Sequence, residues 1–297
     1  MWPKIVIVYL LVSGVGGVAV GQSAPVKFTS LGTRDGLSAN SVNAILKDRY
    51  GWMWFATNDG LNRFDGTNFT VYRHKAGDST SLRANEILAL YEDRAGNLWV
   101  GTSGGALSLY DRKRDAFINF PSTGGANAFL PSALVRSISS DNSGRIWIAQ
   151  YEAPYVLDPE TGHIERLDLS GFSASPSEKV SLYCVFGDSK RRMWVGTDHG
   201  LFLYRGDGRG FRQFRHVSSD PSSLAGDAAQ ALAEDRMGNL WVGTDSGLCR
   251  LRDDGSGFNR YRAGSWRCGT WRRGDQRNCC GQGGASLGWH DAGAACS

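Results

Sequence analysis

Apolar and polar positions in this chain alternate in short runs, and the runs return with a long period. From Ala44 the sequence reads AILKDRYGWMWFATNDGLNRFDG. The apolar stretch Val42 to Lys47 predicts a first strand, a, and Asp48-Arg49-Tyr50-Gly51 a tight turn, with Asp at its first and Gly at its fourth position. Trp52 to Thr57 predicts strand b, Asn58-Asp59-Gly60 a second turn, Leu61 to Phe64 strand c, Asp65-Gly66 a hairpin turn and Phe69 to Arg73 strand d. The same segment returns from Ala89, Ser137, Cys184 and Ala231, and its key tryptophan falls at Trp54, Trp99, Trp147, Trp194 and Trp241, at spacings of 45, 48, 47 and 47 residues. Four short strands per unit of this length are the signature of a propeller blade. The predicted fold is therefore all-β, with five blades near 42–73, 87–120, 135–168, 180–215 and 229–262.

Strand b is apolar on both sides, as in Asn97-Leu98-Trp99-Val100-Gly101, which predicts a strand buried between neighbouring sheets rather than one with a wet face. Two residues after each tryptophan stands a small residue: Ala56, Gly101, Ala149, Gly196 or Gly243. A small side chain there lets the next sheet approach closely. The tryptophan row is read as core, and the following Thr57, Thr102, Thr197 and Thr244 as hydrogen-bonding positions within a blade.

EDRAGNLWVGT at 92–102 and EDRMGNLWVGT at 234–244 resemble the two-component regulator propeller repeat, and Asp35 to Phe69 resembles the first blade of such propellers. The resemblance covers roughly residues 26–262. Unit three departs from it, with Ala149-Gln150-Tyr151-Glu152 in place of the Gly-Thr-x-x-Gly stretch. The resemblance implies an extracytoplasmic sensor region of a bacterial receptor. Such receptors carry seven-bladed propellers ahead of a membrane span and a histidine kinase or diguanylate cyclase output, and some respond to oligosaccharides. Five units against seven lead us to expect a truncated remnant of a receptor, an incomplete seven-bladed propeller forming an open arc with apolar terminal faces.

Met1 to Gly21 has a basic start, an uncharged run from Ile5 to Val20 and a small-x-small cleavage site, and is expected to be a signal peptide. The mature chain is then periplasmic or secreted, with membrane association only through an uncleaved leader or through segments downstream. The propeller is expected over 22–262. Residues 263–297 break the repeat; they are rich in Arg and Gly, hold Cys268, Cys279, Cys280 and Cys296, and are expected to be a disordered or frameshifted tail. Disulfides are permitted by export, but no pairing can be read from this spacing. Apolar residues make up 41% of the chain, enough for a core, and a net charge of +4, evenly spread, argues against nucleic acid.

Topology puts the d–a and b–c loops on one face and the short a–b and c–d turns on the other. The longer loops 74–86, 121–134, 170–180 and 216–228 share the first face, where recognition is expected. The candidate ligand contacts there are Arg83, Arg136, Tyr151, Glu152, Tyr155, Asp198, His199 and Asp245. Tyr151 and Tyr155 with Glu152 break the repeat and are able to stack on and hydrogen-bond a sugar, although an ordinary irregular b–c loop is the favoured reading of this stretch; Asn85 and Asp227 are read as turn caps. The five histidines have no metal-ligand spacing, the repeated aspartates read as turn formers, and no nucleophile elbow, Walker loop or dinucleotide fingerprint occurs. No catalytic residue, metal or cofactor is expected. The preferred reading is a region that senses a glycan or other small extracytoplasmic ligand. The alternative is a scaffold that holds a protein partner, and a propeller lyase or hydrolase ranks last.

Overall fold

Each repeat begins with a strand that runs into an aspartate, and that carboxylate organises both the turn after it and the strand beyond. In the first repeat Asp48 Oδ1 accepts the Tyr50 and Trp52 amides, both at 3.0 Å, while Oδ2 accepts the Trp54 indole N–H at 2.9 Å. The turn it caps closes through Gly51 N–H to the Asp48 carbonyl, and the chain returns as strand b. The indole bond recurs from Trp99 to Asp93, Trp147 to Asp141, Trp194 to Asp188 and Trp241 to Asp235, at 2.9–3.2 Å. The repeat pattern marks the aspartates as turn formers and the tryptophans as core. The structure joins them, so one carboxylate both shapes the turn and satisfies the polar edge of a buried ring.

The computed structural model describes residues 30–120, 134–169, 180–206 and 210–261. After a short 3₁₀ turn at Thr33–Asp35, twenty strands form five antiparallel four-stranded sheets. Blade 1 holds β1(Val42–Lys47), β2(Met53–Thr57), β3(Gly60–Phe64) and β4(Phe69–Tyr72). Blade 2 holds β5(Ile87–Glu92), β6(Leu98–Thr102), β7(Leu107–Asp111) and β8(Ala116–Phe120). Blade 3 holds β9(Ser137–Ser140), β10(Ile146–Ala149), β11(Pro154–Leu157) and β12(Ile164–Arg166). Blade 4 holds β13(Leu182–Gly187), β14(Met193–Thr197), β15(Gly200–Tyr204) and β16(Phe211–Phe214). Blade 5 holds β17(Ala229–Glu234), β18(Leu240–Thr244), β19(Gly247–Leu251) and β20(Phe258–Tyr261). Strands pair in sequence order a-b-c-d, and strand a of each blade packs beside strand a of the next, so these strands form the inner rim. The expected leader and tail lie outside the described residues. Among the described residues no helix is long and apolar enough to cross a membrane.

Four hydrophobic cores fill the four spaces between consecutive blades. Each receives one tryptophan from the preceding blade: Trp54, Trp99, Trp147 and Trp194 are 0–1% exposed. We call the side of each sheet that carries this tryptophan its trailing face and the opposite side its leading face. A methyl group added at Gly101 would lie 2.4 Å from the Val135 side chain of blade 3, and one at Gly196 would lie 2.4 Å from the Ala229 carbonyl of blade 5. The small residue of strand b is thus required for close sheet approach. Thr57, Thr102, Thr197 and Thr244 each donate across the b–c turn, to Gly60, Ala106, Gly200 and Gly247 carbonyls.

The fourth residue of the a–b turn adopts positive φ. Glycine supplies it at Gly51, Gly96, Gly144 and Gly238, but blade 4 has Arg191 with φ of 64°. A side chain in this region is disfavoured by its Cβ. Arg191→Gly is therefore expected to stabilise the protein by about 1 kcal/mol, measured as a rise in the urea midpoint.

The carboxylates of the turn also set an acid limit. Burial pushes Asp48 upward, but the Trp54 indole, Arg112 and the Trp52 amide outweigh it and hold it below its ordinary range. Asp141 is lowered in the same way against burial, by Ser143, Trp147 and Arg145, and Asp235 is lowered chiefly by Trp241 and Asn239. A depressed carboxylate contributes in full above its unfolded pKa, and that contribution is lost as pH falls. Stability should therefore decline from about pH 5 downward as the unfolded chain begins to bind protons near pH 4. Asp48→Asn should flatten this decline while lowering stability at neutral pH, as read from urea midpoints across a pH series.

Candidate functional site

The loop-bearing face divides into clamps and a rim. The connectors 74–86 and 216–228, expected as variable recognition loops, share one conformation. The amides of His74 and His216 donate to Asn85 and Asp227, both at 2.7 Å, and each imidazole Nδ1 donates to a leucine carbonyl, Leu82 or Leu224, at 2.7 Å. Each connector then accepts a backbone bond from strand d of the following blade, Phe117 N to Thr80 O at 2.8 Å and Phe258 N to Ser222 O at 2.7 Å. They are latches on outer strands rather than free loops. The other two connectors fall almost wholly outside the described residues.

The rim is built by a β-bulge. Register shifts between Val42 and Ala44, Ile87 and Ala89, Leu182 and Cys184, and Ala229 and Ala231 leave one extra residue at the start of strand a. A bulge turns its side chain away from the pleat. In blade 1 the bulge residue Asn43 donates to the Ile87 carbonyl of blade 2 at 2.8 Å. Arg136, ahead of β9, makes the equivalent bond to the Leu182 carbonyl of blade 4 at 3.4 Å. Tyr183 is the bulge residue of blade 4 itself.

Arg136, Tyr151 and Tyr183 come together here. The guanidinium lies 5.1 Å from the Tyr151 ring centre and 5.9 Å from that of Tyr183, within cation–π range. Tyr151 is 44% exposed, and its carbonyl accepts the Leu182 amide at 3.0 Å. One residue earlier, Ser181 donates its amide to Asp198 Oδ1 at 2.8 Å and accepts the Asp198 amide at 3.0 Å. The same Asp198 oxygen lies 2.7 Å from His199 Nδ1. A strip along blades 3 and 4 thus presents a cation, two aromatic rings and a carboxylate, with the largely buried His199 imidazole beside the carboxylate.

Of the residues expected from sequence, Arg136, Tyr151, Asp198 and His199 lie in this strip, and Glu152 is exposed next to Tyr151. Tyr155 does not face that surface: it is 6% exposed in β11 and belongs to the core between blades 2 and 3. The reason is register, since Tyr155 pairs with Ile148 and points into the leading face of its sheet. Arg83 is exposed on the latch between blades 1 and 2, and Asp245 is exposed at blade 5, where its amide donates to the Ala228 carbonyl at 3.2 Å. Neither belongs to the strip. Tyr183 and Ser181 are absent from the residues expected from sequence. The apolar-x-small pattern Val-Asn-Ala, Ile-Leu-Ala, Leu-Tyr-Cys and Ala-Gln-Ala marks the bulge and is the signal that points to Tyr183.

The opposite face has a cleft of about 470 Å³ between blades 2 and 3, lined by Asp93, Asn97, Asp141, Asn142 and Glu160 among others. Asp93 and Asp141 are engaged there by the Trp99 and Trp147 indoles. Burial pushes the Cys184 thiol up to about 12, which disfavours the thiolate at neutral pH.

Comparison with known proteins sets this geometry in context. Residues 36–59, 81–104 and 223–246 match the family model described as two component regulator propeller. Over 60 residues the chain is 47% identical to histidine kinase P4 of Formosa agariphila, covering 20% of this chain and 4% of that protein. The extracellular domain of a hybrid two component system from B. thetaiotaomicron superposes with a TM-score of 0.65 at 25% identity, over 79% of this chain and 32% of that one. The extracellular domain of a one component system from the same organism gives 0.58 at 20% identity, over 82% and 29%. The chain therefore spans about a third or less of each of these proteins. Virginiamycin B lyase from Staphylococcus aureus gives 0.55 at 13% identity, over 75% and 70%, a likeness of fold alone.

The Arg136 side chain is expected to contribute little to folding. Arg136→Ala removes a long hydrogen bond and a half-exposed cation–π contact, and should cost about 1 kcal/mol or less. A loss in the urea midpoint comparable to that of a core tryptophan substitution would show that Arg136 is instead a structural tie.

Proposed function

We propose that this chain, whose repeats are those of the two component regulator propeller, is a ligand-sensing region of a bacterial extracytoplasmic receptor, and that it binds through the rim of blades 3 and 4. One observation carries the reading. Arg136, just ahead of strand a in blade 3, and Tyr183, the strand-a bulge residue of blade 4, meet on one rim beside the exposed ring of Tyr151. Two aromatic rings with a guanidinium, a carboxylate and an imidazole suit a polar, ring-bearing ligand such as an oligosaccharide, by stacking and by hydrogen bonds. The likeness to extracellular domains of sensor systems supports an extracytoplasmic location and a sensing role. In this reading the chain binds without converting what it binds, and output belongs to other parts of a receptor.

Isothermal titration of the purified full chain against a panel of soluble oligosaccharides tests this. Binding of at least one is expected, with Tyr151→Ala and Tyr183→Ala each weakening it about threefold to tenfold, and with the ligand recovered unchanged by mass spectrometry. Recovery of a shortened or eliminated product would replace sensing by catalysis. Binding that ignores both tyrosine substitutions would move the site elsewhere.

A further inference from the structure

The cleft between blades 2 and 3 corresponds to a space that is filled at the preceding junction. Blades 2 and 3 carry the same c–d turn. Asp111 and Asp158 begin it, and Oδ1 of each accepts the amides two and three residues on, at 2.9 and 3.3 Å in blade 2 and at 2.9 and 3.4 Å in blade 3. The turn ends in both blades on a residue of positive φ, Asp115 or Gly162. Position by position, Arg112 therefore corresponds to Pro159, and Lys113 to Glu160.

At the junction of blades 1 and 2 the Arg112 side chain fills the space between the two a–b turns. Its guanidinium donates to Asp48 Oδ2 at 2.9 Å and to the Gly96 carbonyl at 3.4 Å. It also lies 3.8 Å from Glu92 and stacks on the Tyr50 ring at 4.4 Å. The corresponding positions at the next junction are Asp93, Gly144, Ser140 and Ala95, and all four line the cleft together with Pro159. The carboxylate and the glycine are retained there. The long side chains are shortened: Arg112 is replaced by Pro159, Glu92 by Ser140, Tyr50 by Ala95 and Trp52 by Asn97. The acceptors of a guanidinium socket thus remain, while the side chain that would occupy it is missing from the turn.

The charge left in the cleft is acidic. Asp93 accepts the Asn97 amide, Asn97 Nδ2 and the Trp99 indole, all at 2.9 Å, so its three donors are neutral where Asp48 has a guanidinium among its own. A carboxylate has room for about four hydrogen bonds, which leaves Asp93 open to one more. Among the described residues neither Asp93 nor the exposed Glu160 has an ion-pair partner, whereas Asp141 is paired with Arg145 at 2.8 Å. The cation lining the cleft, Arg94, is exposed and holds the position at which Arg49 coexists with Arg112. A planar guanidinium has donors on several sides and can reach a carboxylate on one blade and a carbonyl on the next, as Arg112 does; an ammonium is a single point of charge. We propose that this cleft binds an arginine guanidinium from outside the chain, carried by a free amino acid or by a protein segment. Asp93 and the Gly144 carbonyl are its acceptors, and Glu160 stands at the mouth. The proposal is independent of the rim reading.

Isothermal titration of the full chain with the peptide acetyl-Gly-Arg-Gly-amide and with L-arginine tests this, and the same peptide with citrulline in place of arginine is the uncharged isostere. Binding of an arginine probe is expected, with the citrulline peptide weaker by about tenfold or more. Binding of L-arginine as tight as that of the peptide assigns the guanidinium to a free amino acid, and binding of the peptide alone assigns it to a protein segment. Pro159→Arg gives blade 3 the side chain that blade 2 carries on the same turn, and should abolish binding without lowering the urea midpoint. Glu160→Gln changes an exposed side chain and should weaken binding about threefold. Absence of binding by both arginine probes overturns the proposal. So does equal binding of the citrulline peptide, and so does binding that is unchanged by Pro159→Arg and by Glu160→Gln.

Discussion

The bond between an aspartate at the end of strand a and the indole of strand b is the constraint on which this structure depends. A tryptophan is the largest apolar side chain available to fill the space between two sheets, but its ring carries one N–H that burial would leave unsatisfied. The Asp48 carboxylate answers that N–H with one oxygen and orders the turn with the other. Side-chain burial and backbone reversal are thereby coupled in each repeat. Four of the five rings so tied are sealed by the next blade, and the small residue two positions on allows that blade to approach.

Within this frame the junctions are individually tailored. Glu92 and Glu234, the last residues of their strands a, accept the backbone amides of Arg49 and Ser189 in the preceding turn. Blade 3 has Ser140 at this place, bonded to the Tyr91 hydroxyl, and blade 4 has Gly187, where a methyl group would strike the Ser140 carbonyl at 2.5 Å. The first junction adds Asp115, held below its ordinary range despite burial by the Tyr110 and Tyr72 hydroxyls and Arg63. One repeat geometry thus accommodates four chemically distinct seams.

The rim derives from the same backbone. Bulging strand a at its start releases one side chain from the pleat in blades 1, 2, 4 and 5, Tyr183 in blade 4, and Arg136 stands just ahead of the unbulged strand a of blade 3. In blade 1 the bulge residue is Asn43, bonded to Asn58 and to the Ile87 carbonyl, so its polar groups are engaged. The chemistry of the rim thus changes from blade to blade with the residue at this one position.

The repeat, the four strands of each blade, the core role of the tryptophans and the need for a small residue after them were legible in the sequence. Each is a local rule, and local rules repeated five times become visible as a period. Arg136, Tyr151, Asp198 and His199 were also legible as candidates, because topology alone assigns them to the loop-bearing face. What only tertiary structure decided was orientation. Tyr155 follows the exposed Tyr151 and Glu152 but lies in β11, paired with Ile148, and is buried; Tyr183 looks like a core residue of strand a until a bulge turns it out. Connectors of similar composition prove to be latches once their carbonyls meet strand d of the next blade. Arg63 and Arg250 occupy the same position in the repeat, yet Arg63 is bonded to Tyr110 and Asp115 while Arg250 Nε has no partner among the described residues. The acceptor that makes the difference belongs to a neighbouring sheet, and no local pattern can record a neighbour.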